Sequence, residues 1–155
     1  MGFLPDPLHP AIVHFPIVLS IVAVLLDLAS RHRRGGGLEK GGAVLVVLAA
    51  LGGVAAVLTG NAAHDAAVVP PAAAAILARH ENVGELAMWA LCALAAARVV
   101  LAARGWFKGA IAWLYLAAAL AVAALVGYNG HLGGRMVFDH GLGTAPVQRS
   151  APQTP

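Results

Sequence analysis

Four nearly unbroken apolar stretches divide the chain, at about residues 10–29, 41–60, 83–103 and 109–130, each bounded by glycine, proline or charged residues. A helix needs about 20 apolar residues to cross a hydrocarbon core of roughly 30 Å, and all four stretches reach that length. They are too long for strands, so the pattern predicts an all-α fold, a transmembrane four-helix bundle. The first stretch opens with Pro10, tolerated in a first helical turn, and stops at Arg31, His32, Arg33 and Arg34 followed by three glycines. The third begins with Asn82 and Glu85 spaced as a capping pair. Between the second and third stretches, residues 68–79 hold Pro70, Pro71 and an alanine-rich run, which reads as a short interfacial helix or as a continuation into the third span.

Composition agrees with a lipid environment. The chain of 155 residues is 60% hydrophobic and 11% charged, with a mean hydropathy of +0.80, against about 45–50% and about 25% in a soluble domain. Residues 1–145 make one four-span domain and residues 146–155 a flexible tail. No Lys or Arg precedes the first apolar stretch, so that stretch reads as a retained span, not a cleaved leader. The single cysteine, Cys92, lies inside an apolar run, which leaves no disulfide and no Cys-rich zinc site.

Basic residues give direction. Seven of the ten Lys and Arg lie in or beside two short loops: Arg31, Arg33, Arg34 and Lys40 after the first span, and Arg98, Arg104 and Lys108 around the turn between the third and fourth. Cytoplasmic loops retain such residues, so both termini are expected outside the cytoplasm, in the inner membrane of a bacterium. This placement also sets nucleic acid aside as a partner. Asp27, four residues before Arg31, is expected to pair with it at the inner face.

The histidines carry the candidate chemistry. His14, near the start of span one, and His64, just past span two, are 50 residues apart; His80, before span three, and His131, at the end of span four, are 51 apart. A glycine precedes each later histidine by one turn, Gly60 before His64 and Gly127 before His131. The pattern predicts two parallel helical-hairpin repeats about an axis along the membrane normal, with His14, His64, His80 and His131 at the outer ends of the helices. His9 and His140 flank that face, while His32 lies in the basic loop.

Ionisable groups at a bundle interior are functional candidates, and imidazole ligates both haem iron and borderline metals. A porphyrin must lie close to helix backbone, and Gly60, Gly127 and Gly84, one turn after His80, offer clearance that Val18 denies beside His14. That favours haem b, one or two per chain, in electron transfer with a redox subunit or quinol. The alternatives are copper, zinc or iron held by the same histidines with His9 and His140, or a cofactor-free structural subunit of a larger or homo-oligomeric complex. Asp65, Glu81 and Asp139 would add oxygen ligands to a bare ion. Met88 shares a face with His80 and reads as core packing. No P-loop, GxGxxG after a strand, Ser/His/Asp arrangement or HExxH motif is present, so no stand-alone enzyme is indicated.

Residues 8–19 (LHPAIVHFPIVL) and 133–143 (GGRMVFDHGLG) resemble the opening and closing motifs of the bacterial membrane-protein family catalogued as domain of unknown function 2231 (DUF2231). The resemblance covers about residues 8 to 145 and implies a small four-helix membrane unit. It singles out His9, His14, His80 and His140 as positions matching the family motifs. The residue pattern and the resemblance agree on His14 and His80.

Overall fold

The computed structural model describes residues 8–32 and 36–144; the expected C-terminal tail, together with Arg33 and Arg34, lies outside the described residues. Five α-helices carry the fold: α1 (His9–Ile12), α2 (His14–His32), α3 (Gly36–Asp65), α4 (Ala74–Ala103) and α5 (Gly109–His140). Among the described residues there is no strand. Four helical stretches are long and apolar enough to cross a membrane, with α1 and α2 together forming the first.

Proline chemistry explains the break between α1 and α2. Pro16 has no N–H to give a preceding turn, and its ring would collide with the carbonyl of Ile12, four residues earlier. Helix α1 ends at Ile12, and Val13 returns its N–H to the His9 carbonyl at 3.1 Å. Val13 keeps helical dihedrals (φ −60°, ψ −23°), so α1 and α2 run on as one span that carries His9 at its start.

The separate interfacial helix expected between spans two and three is not formed. A single 3-10 turn, Pro71–Ala73, runs directly into α4, so residues 74–82 are the first turns of the third span. The proline pair at 70 and 71 ends the loop, and the alanines after it have no reason to stop a helix once it has begun. Helices α4 and α5 are 30 and 32 residues long, about 45–48 Å at 1.5 Å per residue. They extend well beyond the hydrocarbon, which brings the candidate histidines to the bundle's rim. Helix α5 closes on Gly141, whose left-handed φ of 64° turns its N–H back to the Val137 carbonyl.

The four long helices pack in a ring, α2 on α3, α3 on α4, α4 on α5 and α5 on α2, with α2/α4 and α3/α5 standing diagonally across it. Small residues line much of the interior, Gly42, Val46, Ala49, Ala50 and Gly53 on α3, and Ala112, Ala119 and Ala123 on α5, beside larger ones such as Leu91, Tyr115 and Leu116. Large apolar side chains such as Leu51, Leu58, Trp89, Leu114 and Leu120 point outward. That inversion suits lipid, where close backbone approach rather than water exclusion holds helices together.

Candidate functional site

Two histidines meet at one end of the ring. His9 on α1 and His80 on α4 stand edge to face, ring centroids 6.2 Å apart and planes at 84°. His9 is held by α3 and His80 by α5. His9 Nδ1 donates to the Ala56 carbonyl at 2.9 Å, with Thr59 Oγ1 at 3.3 Å, and His80 Nδ1 donates to the Asn129 carbonyl at 3.1 Å. A carbonyl only accepts, so Nδ1 carries the proton and the neutral ring keeps its lone pair on Nε2. A metal-ligating imidazole is commonly fixed in this way, its other nitrogen tied to a carbonyl.

Glycine makes room for both rings. A Cβ at Gly60 would come within 3.0 Å of His9 Cε1, and one at Gly133 within 3.3 Å of His80 Cε1. Gly60 and Gly133 each lie one turn beyond the residue whose carbonyl accepts the bond, so the two imidazoles sit in matching cradles on α3 and α5. Gly84 faces the Asn129 amide at 3.0 Å, and Gly127 faces open space. The clearance expected for a porphyrin at Gly60 is therefore taken by an imidazole. Asn129 Oδ1 is buried without a hydrogen-bond partner among the described residues.

The other candidate residues are distributed around this pair. His14 is exposed at the start of α2, His131 is exposed on α5, and His140 is partly buried at that helix's end. His64 contacts Glu81 Oε1 through Nδ1. This contact lines a cleft of about 530 Å³ between α3 and α4, shared with Asn61, Asp65, Asn82 and Glu85. Among the described residues, no group of three or more His, Cys, Asp or Glu side chains is gathered so as to hold a metal ion. Asp139 is engaged elsewhere, with Arg135 at 2.9 Å. His32 is exposed at the opposite end of α2.

That opposite end holds the feature that sequence reasoning missed. Arg98 is fully buried, and its Nη2 donates to Asp27 Oδ1 at 2.9 Å and to the Glu39 carbonyl at 2.9 Å, while Nε reaches Asp27 Oδ2 at 3.3 Å. The ring of Phe107 lies 3.5 Å from the guanidinium carbon, and a Cβ at Gly42 would run into the Asp27 carboxylate. Asp27 thus pairs with Arg98 across the bundle instead of with Arg31. Arg31 pairs with Glu39 at 3.3 Å. The i,i+4 spacing pointed along one helix surface, whereas Asp27 faces inward, where only the long side chain of Arg98 reaches it.

The family model described as a predicted membrane protein, DUF2231, matches residues 5–146, nearly the whole chain. The chain belongs to this family. No curated protein and no solved structure matches it. DUF2231 membership agrees with the four apolar helices, and the residues of both motifs now have places: His9 and His80 form the contact described above, Pro16 makes the break after α1, and Gly133 cradles His80.

Proposed function

We propose that this DUF2231 protein is a b-type haem protein of the bacterial inner membrane that transfers electrons, with His9 and His80 as axial ligands. The observation that supports this reading is the matched tethering of the two imidazoles, each with Nδ1 bound to a neighbouring helix and Nε2 left with its lone pair. Haem asks two axial ligands of a protein, because the porphyrin supplies the rest. A bare structural ion asks four, and a catalytic one three. A set of two histidines therefore suits haem better than copper, zinc or free iron. With metal–nitrogen bonds of about 2 Å, two imidazoles on one iron stand with centres roughly 6 Å apart, close to the separation here. Ordinary aromatic pairs span the same range, so the tautomer, not the distance, carries the argument.

Within this reading the chain's own residues orient and tune. The carbonyls of Ala56 and Asn129 fix ring rotation and make Nε2 more basic, and Gly60 and Gly133 let the rings lie against backbone. Asn129 Oδ1 offers a buried acceptor to a hydrogen-bond donor. Haem bound here supplies a one-electron couple. Quinol or a partner redox subunit would supply or take the electron. The positive-inside tendency supports placing this end, with both termini, on the non-cytoplasmic side: Arg31, Lys40, Arg104 and Lys108 border the helix ends opposite it, even with the buried Arg98 left out of the count.

A second reading has its own observation. Each histidine already ties two helices together, which is what a cofactor-free structural subunit would need. Absorption spectroscopy separates the two. Protein purified from cells supplied with haem should show a sharp reduced-minus-oxidised spectrum and one haem per chain by haemochrome assay. Colourless protein would remove the haem reading, and stoichiometric metal in that colourless protein would favour a bare-ion site.

A further inference from the structure

One numerical relation runs through the molecule. His9 and His80, whose rings touch, are 71 residues apart, and so are Asp27 and Arg98, whose side chains pair at the other end. Ala56 and Asn129, which hold the histidines, are 73 apart, as are the cradling glycines Gly60 and Gly133. Ala23 and Leu94, one turn before the charged pair, are again 71 apart and both buried. The helix ring obeys the same relation, α2 standing to α3 and α5 as α4 stands to α5 and α3. The register differs from the spacing of 66 between His14 and His80.

We infer that residues 8–65 and 71–140 are related halves packed about an axis along the bundle, and that Asp27 and Arg98, opposite charges at one axial position, make each half fit the other and reject a copy of itself. A residue that meets its own counterpart lies on the axis relating the halves. At the histidine end the counterparts are alike, and two imidazoles tolerate one another. At the other end they differ in sign. Two first halves packed the same way would bury Asp27 against Asp27, and two second halves would bury Arg98 against Arg98. Neither charge would then have a partner in a setting where exposure is nil.

Shape follows charge. The α3 position beside the carboxylate is Gly42, whereas its counterpart on α5, 73 residues on, is the buried Tyr115, its ring centre 5.7 Å from the guanidinium carbon. Such a device has a use in a bilayer. The α2–α3 hairpin is synthesised before α4–α5 and would otherwise offer its small-residue face to any equivalent hairpin nearby. Charge complementarity supplies the repulsive element against that wrong partner.

Full-length chains carrying Cys92→Ala and His9→Cys test this in membranes. The reagent is a short bifunctional maleimide, chosen as one that joins His9→Cys to His80→Cys within a single chain. With Asp27 and Arg98 intact, position 9 faces His80 and links between chains stay at background. The exchanged pair D27R/R98D should also give background links. The apolar pair D27L/R98L should accumulate as well as the intact chain, because apolar residues replace a buried ion pair without loss, yet form interchain links at least about fivefold above it. Equal linking in D27L/R98L and the intact chain would overturn the inference. So would failure of D27L/R98L to accumulate, since the pair would then be needed for folding itself, or strong interchain linking in D27R/R98D.

Discussion

The two ends of the bundle solve the same geometrical problem in opposite ways. In both, a side chain from the α1–α2 region crosses the ring to meet one from α4. At the arginine end the two are of opposite charge, fully buried and bonded chiefly to each other, with the Glu39 carbonyl and the Phe107 ring completing the guanidinium's surroundings. At the histidine end they are identical, half-buried and bonded to α3 and α5, so that Nε2 of each ring has no hydrogen-bond partner among the described residues. A pair whose charges meet each other locks the bundle, even with Arg98 Nη1 buried without a partner among the described residues. A pair that is satisfied from behind can accept something in front.

This contrast predicts the largest stability effect at the arginine end. Arg98→Leu leaves the Asp27 carboxylate buried alone and should cost about 3–5 kcal/mol, read by thermal unfolding in detergent or lipid. D27L/R98L should be neutral or stabilising. If Arg98→Leu alone is harmless, the lock is not what the geometry says.

Glycine substitutions sharpen the contrast on a smaller scale. Gly42→Ala drives a methyl into the Asp27 carboxylate and should destabilise by about 1–3 kcal/mol. Gly134→Ala on α5 meets nothing within 4 Å and should gain up to about 1 kcal/mol from helix propensity. A smaller and functional effect belongs to Gly60→Ala and Gly133→Ala. Each needs only a few tenths of an ångström of ring movement, so stability should change by less than about 1 kcal/mol. The midpoint potential of a bound haem should nevertheless shift in the same direction in both, and Gly127→Ala, facing open space, should leave it unchanged. Unlike responses at positions 60 and 133 would break the equivalence of the two cradles. The smallest effect is at His32, where alanine should alter neither spectrum nor melting.

Much of this fold was legible because lipid imposes a simple rule. A 20-residue apolar run is hard to read any other way, and all four spans lie within the helices observed, although α4 begins nine residues before the expected third span because its alanines continue the helix. The site was harder. His80 was evident from its place at a span end, but its neighbour proved to be His9, which the family motif had singled out and which bonds α3 through the Ala56 carbonyl. The paired offsets of 50 and 51 residues favoured His14, whereas the contact that forms follows an interval of 71. Arg98 falls inside the expected third span, but its place near the end of the apolar run counts it with the basic residues bordering the loop and not as a buried partner. Periodicity along α4 would have placed it on the face shared with Leu91 and Leu94, and the interval of 71 that it shares with His9 and His80 was present in the sequence, unrecognised without the contacts.

The central claim, that His9 and His80 together form the cofactor site, is tested most directly by comparing the reduced-minus-oxidised spectra of His9→Ala and His80→Ala with those of wild type, His64→Ala and His131→Ala, all at matched protein concentration. The proposed site predicts a low-spin haem spectrum in the wild type that is lost or converted to high spin to the same degree in His9→Ala and His80→Ala, because each removes one of two equivalent axial ligands. His64→Ala and His131→Ala should keep the wild-type line shape. A wild-type spectrum that survives in both His9→Ala and His80→Ala but disappears in His64→Ala or His131→Ala would contradict it.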